Sequence, residues 1–421
     1  VSIMEITVLG AGVIGLTTAY YLNASGHHVT VVDRRSQVGL ETSYANGAQL
    51  SYSYVAPLAG PGVLSKIPGW LMRHDSPMRF RPSADPALWR WCFQFLRACT
   101  RQRSLQSTRH LLALSFLSRS LMHKLVDNEP LLDFDYARSG KLVMHRDAKA
   151  FGSALGLLEF QRTLGCEQLP LDREACVRIE PALETIRHEI AGGIYTASED
   201  TADCYRFCLS LERLLRARGV VFEFSADVSA LKHAPGGRVE AWAGARRLPG
   251  EQIVVALGCG STKLLRPVGI DVRVYPLKGY SLTVPVRSGD IAPRISVTDF
   301  ARKVVYARLD ERMRVAGMAD LTGYSNALNR RRLDTLRLES EAVFPRAGDY
   351  AAADEWAGSR PATPGGMPIV GSTPIKNLWL NVGQGALGFT LATGCAQLLD
   401  DLIAQRPTAF DCSMFNLSAH P

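Results

Sequence analysis

Hydrophobic residues along this chain fall into two patterns. In the first, short β-branched runs end on glycine or an acid: Ile6–Leu9, His28–Val32 and Ile253–Gly258, the last without alternation. Runs of this kind suit inner strands of a parallel sheet, buried on both faces. Segments of helical period stand between them. One follows Gly10 and closes at Gly26; another runs from Asp203 to Arg218, stops at Gly219 and leads into Val220–Phe224. The second pattern lies between Val272 and Val315, where VRVYPLKGYSLTVPV, ISVTDF, KVVYARLD and RMRVAGM alternate with period two between short breaks. That is the signature of an antiparallel sheet. Further helices are predicted over Pro86 to Asn128, from after Met144 through Leu164, and over Asn326 to Val343, with a short strand over Ser139 to Met144. The aromatics Trp89, Trp91, Phe93 and Phe95 are read as a helix-packing core. At the C-terminal end, a strand over Asn377–Val382, a turn over Gly383–Gly388 and a helix over Phe389–Ile403 close the pattern.

These elements predict an α/β fold in which a parallel sheet is interrupted by an antiparallel sheet with helices. The expected division is 1–50, 196–265 and 355–421 for the first domain, and 51–195 and 266–354 for the second. A length of 421 residues agrees with two domains. With 47% hydrophobic and 21% charged residues the chain is globular. Its net charge of +8 suits a membrane surface, a phosphate-rich cofactor or an acidic substrate, and equally an ordinary basic soluble protein. The run Arg330-Arg331-Arg332 lacks interleaved aromatics, so nucleic acid is set aside.

Nine cysteines without a C-x-x-C pair point to free thiols in a reducing compartment, hence the cytoplasm. Cys204 and Cys208 share a predicted helix face but have no partners that complete a zinc site, so no metal is expected. No uninterrupted apolar stretch reaches the length of a membrane span. The segment carrying Ile67, Trp70, Leu71 and Met72 reads either as a surface anchor on the inner face of the membrane or as a packed loop.

The chemistry is concentrated at the two chain ends. Gly10, Gly12 and Gly15 have G-x-G-x-x-G spacing between the first strand and the first helix, and Asp33 ends the second strand. This order serves a dinucleotide: pyrophosphate at the helix start, with the acid on a ribose hydroxyl. Ser43, Asn46 and Gly47 lie in the small, polar loop that follows. The Gly383–Gly388 turn offers a second helix N-terminus, suited to the electron-rich edge of a reduced flavin.

The segments GAGVIGLTTAYYL, ETSYANGAQ, YPLKGYSLT, GSRPATPGGMPIVG and NLWLNVGQGALGFTLATG together resemble the small-subunit type of bacterial D-amino acid dehydrogenase. That family sits within the group of flavin enzymes that includes D-amino acid oxidase, glycine oxidase and sarcosine oxidase. The resemblance implies a Rossmann-type domain binding non-covalent FAD. Gly10, Gly12 and Gly15 would meet the pyrophosphate, and Asp33 the ribose with Arg34 nearby. Ser43, Asn46, Gly47 and Gln49 would run along pyrophosphate and flavin, with Val228 at adenine and Gly258 at a strand end near the cofactor. Gly383, Gly385, Ala386, Leu387 and Gly388 would face the flavin ring. It also implies Arg360 as the anchor of the substrate carboxylate, with Tyr280, Tyr306 and Tyr54 lining the pocket. Lys278 stays open between the flavin side and a surface pair.

The implied reaction is hydride transfer from a D-amino acid Cα to the flavin, giving a 2-oxo acid and ammonia, with electrons passed to a quinone or other carrier. Ser51-Tyr52-Ser53 and Gln384 depart from the family's usual residues, which admits a D-proline or hydroxyproline type of substrate. Dehydrogenases or oxidases of N-methyl amino acids share the same chemistry. A non-catalytic flavoprotein subunit is the alternative from another class.

Overall fold

A computed structural model describes residues 2–63 and 76–420. Ile67, Trp70, Leu71 and Met72 lie outside the described residues. A six-stranded sheet runs in the order Ile369–Ser372, Leu378–Val382, Gln252–Val255, Glu5–Leu9, His28–Val32, Val221–Glu223. All its pairings are parallel except that of Ile369–Ser372 with Leu378–Val382. Ile6, Val8, Val29, Val31 and Val254 pack into one core, and Leu9, Val32, Ile253 and Val255 into the core on the opposite face. Both faces are covered, which is why Ile253, Val254 and Val255 follow one another without alternation.

Helices Val13–Ala24 and Gly388–Ile403 come from opposite ends of the chain and pack directly together, with Thr17 Oγ1 donating to Ala392 O at 3.2 Å. Beside them lies Cys204–Ala217, whose Asp203 cap accepts from Tyr205 N and Arg206 N and whose Cys204, Phe207, Cys208, Leu211 and Leu215 form a buried stripe at helical spacing. The helix Arg101–Asn128 joins the same core through Leu111, Leu114 and Leu125. The expected division placed this helix in the second domain. Its apolar side instead packs on the Gly388–Ile403 helix, where Ser118 Oγ donates to Thr390 O at 2.6 Å.

A nine-stranded sheet carries the second layer. Its order is Asp354–Ala362, Tyr275–Pro285, Arg312–Leu321, Val304–Leu309, Ser296–Asp299, Lys141–His145, Gly192–Thr196, Leu169–Leu171, with Met78–Phe80 paired to Arg312–Leu321. Most pairings are antiparallel, as the period-two pattern predicts; Ser296–Asp299 with Lys141–His145 and the Met78–Phe80 pairing are parallel. The Asp354–Ala362 strand, expected with the first domain from residue 355 onward, is an edge of this second sheet. Helix Arg330–Val343 covers the sheet's outer face through Leu333, Leu336 and Val343.

The predicted helix over Pro86 to Asn128 is two helices, Pro86–Ala98 and Arg101–Asn128, broken at Cys99 and Thr100. Trp91 and Phe95 are buried and stacked at 5.2 Å, as a packing core requires. Trp89 and Phe93, on the other side of the helix, are 50% and 60% exposed.

Candidate functional site

The first glycine turn is closed by sterics. Gly10 has φ +112°, and a Cβ there would stand 2.5 Å from Ala256 O; a Cβ on Gly15 would collide with the Gly10 carbonyl. Gly12 meets only Ser43 Oγ, at 3.4 Å from its Cβ position, so its outer side is open to a ligand. Around this turn the backbone N–H of Ala11 donates to Asp33 Oδ2 at 2.7 Å, and Ser43 Oγ accepts from Val13 N at 3.0 Å. The serine hydroxyl keeps its proton to donate to an anion at the helix start. Arg34 and Arg35 both pair with Glu41, at 2.7 and 2.6 Å. Ala226 N donates to Asp33 O at 3.0 Å, which brings the strand that starts at Val228 alongside. Gly10, Gly12, Gly15, Asp33, Arg34, Ser43 and Val228 therefore gather at one edge of the first sheet.

The loop from Thr42 to Gly47 docks onto the second sheet. Thr42 Oγ1 donates to Ser359 O at 2.6 Å, Ser281 Oγ to Ala45 O at 2.8 Å and Arg314 Nη1 to Asn46 O at 2.8 Å, while Gly47 rests against Val305 and Ala316. Gln49 continues this path, and its Oε1 accepts from Lys141 Nζ at 3.0 Å.

On the same sheet face as Ser281, Arg360 lies over Gly279: Arg360 pairs with Leu277, and side chains alternate along the strand. Arg360 Nη1 donates to Met318 O at 2.9 Å, and none of its nitrogens pairs with a carboxylate among the described residues. Its pKa is lowered by burial, opposed by Asp320, although the side chain is only half-buried.

Two further pieces complete this junction. Gly258 begins a turn at the end of Gln252–Val255, with Pro361 Cγ 4.0 Å from its Cβ position. The Gly383–Gly388 turn is tied to the arginine strand by the Ala362–Gln384 bridge. It opens into the Gly388–Ile403 helix, whose N-terminus carries no side-chain cap. The second helix start and a guanidinium with no acid partner among the described residues thus lie on joined pieces of the chain where the two sheets meet. Gly383, Gly385, Ala386, Leu387 and Gly388 lie within this turn and helix start. The open cradle at Gly12, the acid beyond it and the uncapped second helix fit a dinucleotide with an anionic ring edge.

The tyrosines divide. Tyr280 and Tyr306 lie on the opposite face of the sheet from Arg360, which corrects their expected place in the pocket. Tyr280 donates to Asp320 Oδ2 at 3.0 Å, and Asp320 pairs with Arg332 at 2.8 Å. Tyr306 is fully buried edge-on to Phe344, 4.9 Å between centroids. Both belong to the core under helix Arg330–Val343. Tyr54 is 36% exposed, with burial pushing its hydroxyl up to about 12 and its ring centre 4.6 Å from Lys141 Nζ. Lys278 donates to Ala327 O on the outer face with Tyr280.

Sequence reasoning missed Thr42, Ser281, Arg314 and Lys141. The first three bond to backbone across more than 230 positions, which no local pattern carries. Lys141 had one signal, a lone charge opening an apolar strand after Ser139-Gly140.

The family described as FAD dependent oxidoreductase matches residues 5–402. The chain is 52% identical to a protein named D-amino acid dehydrogenase 2 of Ralstonia nicotianae, over 99% of this chain and 100% of that one. It is 44% identical to a D-amino acid dehydrogenase 2 of Pseudomonas aeruginosa, over 97% and 96%. Among solved structures, glycine oxidase from Geobacillus kaustophilus has a TM-score of 0.79 at 18% identity, covering all of both chains. L-proline dehydrogenase from P. horikoshii has a TM-score of 0.76 at 15% identity, covering 99% of this chain and 97% of that one. At these identities the structural likenesses speak for the fold.

Proposed function

The chain belongs to the FAD dependent oxidoreductase family, and from that premise we propose that it oxidises D-amino acids to 2-oxo acids and ammonia, with electrons leaving to a quinone or other carrier. The observation that carries this reading is Arg360: a guanidinium without an acid partner among the described residues, on the sheet face to which Ser281 ties the cofactor-side loop and on the strand bridged to the Gly383–Gly388 turn. Bound FAD supplies the two-electron acceptor. Arg360 supplies orientation, because a planar fork grips a carboxylate through two parallel hydrogen bonds and fixes which face of Cα is presented. Met318 O holds one edge of that fork still. The starts of helices Val13–Ala24 and Gly388–Ile403 would offer the partial positive ends of their dipoles to pyrophosphate and ring, with Ser43, held by Val13 N–H, donating its hydroxyl beside the first. The chemistry needs the substrate amine neutral and requires no dedicated side-chain base.

The testing experiment is the visible flavin spectrum without oxygen, before and after D-alanine, D-proline and their L-forms. Bleaching by D-forms alone is expected, and the faster of the two separates the linear from the cyclic substrate class. A flavin that none of them bleaches would overturn the assignment. For the carrier, the reading is peripheral contact with the inner face of the membrane. Its support is helix Pro86–Ala98, which exposes Trp89, Phe93 and Leu96 with Arg97 over the Phe93 ring. Failure to bind anionic vesicles at low salt would remove that part.

A further inference from the structure

Lys141 is 3% exposed and has no carboxylate within ion-pair distance among the described residues. Its Nζ donates to Ser51 Oγ at 2.6 Å and to Gln49 Oε1 at 3.0 Å, and stands 4.6 Å from the centre of the Tyr54 ring. The charge is balanced at longer range by Glu199, itself 1% exposed, whose Oε1 accepts from Ser53 N at 2.7 Å. Both ions therefore act on one short segment, Ser51 to Tyr54. That segment is fixed on two more sides: Ser51 N donates to Thr390 Oγ1 at 3.0 Å in the first turn of the C-terminal helix, and Tyr52 O accepts from Ser115 Oγ at 2.7 Å. Of the four side chains of this segment only that of Tyr54 is exposed, at 36%, while Ser51, Tyr52 and Ser53 are buried.

An ammonium buried without a contacting carboxylate is costly, and a methionine would fill the same volume without that desolvation. What the ammonium adds is direction: two hydrogen bonds and a cation–π contact in three orientations. We propose that Lys141 is a positioning residue for the substrate, fixing the Ser51 hydroxyl and the Tyr54 ring as the pocket wall against which the substrate side chain packs. This rests on the functional reading above.

The test uses the flavin-loaded enzyme and the D-amino acid that the wild type oxidises best. In Lys141→Met, KM is expected to rise about tenfold, with flavin content and kcat within about twofold of wild type, while Lys141→Arg stays near wild type. Because the effect passes through Tyr54, Lys141→Met should add little to the KM of Tyr54→Leu. Should Lys141→Met fail to fold, KM against pH compares wild type with Lys141→Arg. The wild-type KM should climb above about pH 8 as the ammonium is lost, in an environment set by Glu199 and Tyr54, whereas Lys141→Arg keeps its charge and lacks that limb. The substrate amine titrates alike in both. A wild-type KM in Lys141→Met, an undiminished effect in Tyr54→Leu, or superimposable pH profiles would each overturn the inference alone. A wild-type flavin that no D-amino acid reduces would overturn the functional reading and this inference together.

Discussion

The Arg360 guanidinium occupies the space that a side chain on Gly279 would need: its Nη2 lies 2.5 Å from the Cβ position of that glycine. The arginine is thus pressed flat across a neighbouring strand, anchored at one end by Met318 O and open at the other. Arg360→Ala should raise KM roughly 100-fold, the loss of two charge-assisted hydrogen bonds at about 1.5–3 kcal/mol each, discounted for water that refills the site. Flavin should stay bound. Near-normal steady-state kinetics would refute the anchor.

Gly279→Ala tests the same relationship from the other side. The added methyl must displace the guanidinium, so KM should rise while the far face of the sheet is untouched. An alanine enzyme with unchanged KM would show that the arginine's placement is not critical.

For Tyr280 the expectation is the reverse. Its hydroxyl serves Asp320 and the helix Arg330–Val343, on the face away from Arg360. Tyr280→Phe should leave KM alone and lower the unfolding free energy by about 2 kcal/mol, the value of a buried hydrogen bond to a charged group. Denaturant midpoints beside substrate titrations decide it; a large KM change would return the tyrosine to the pocket.

Lys141 and Glu199 make stability depend on pH in two separate windows. Burial pushes the lysine down to about 8, against the pull of Glu199, from an ordinary 10.5. Between those values the unfolded chain holds a proton that the folded chain lacks, so raising pH through this window favours folding. Burial also raises Glu199 to about 6 from 4.5, and there the folded chain holds the extra proton, so lowering pH from 6 toward 4.5 favours folding. The pair thus weighs most against the fold between about pH 6 and 8. Melting temperatures of wild type minus Lys141→Met/Glu199→Gln across pH should trace a minimum there. A flat difference would show that the pair is not held as charged groups.

Flavin should leave the unfolded protein. Cys259, whose Sγ donates to Ser359 O next to Arg360, has its thiol pushed up to about 12 by burial and is a poor nucleophile near neutral pH. Acid or urea should put all the yellow colour in the filtrate; colour retained on the protein would reveal a covalent link.

What the sequence made legible was local. The Gly10–Gly15 turn, Asp33 and the Gly383–Gly388 turn each declare themselves within a few residues, because strand, tight turn and helix follow one another directly. The facing of Tyr280 and Tyr306 was not legible. Their strands are buried on both sides, so Tyr275–Pro285 carries apolar residues at positions of either parity and alternation does not tell the inner face from the outer. The allegiance of helix Arg101–Asn128 was equally hidden. It follows the first strands by dozens of residues, yet it packs on a helix far later in the chain, with Ser118 and Thr390 in contact 272 positions apart. Lys141 matters through Ser51, Gln49 and Tyr54, and that meeting of strand and loop is made only by the folded chain.

Thr17 and Ala392 touch although 375 positions separate them. On a ribosome this has an order in time. The glycine turn is made before the second sheet, and the helix that packs beside it is made after the last strand of that sheet. Throughout that interval a nascent chain leaves uncovered the side of helix Val13–Ala24 on which Gly388–Ile403 will pack, which exposes it to aggregation. A chain cut short before residue 388 would keep the Gly10–Gly15 fingerprint and lack the second helix start.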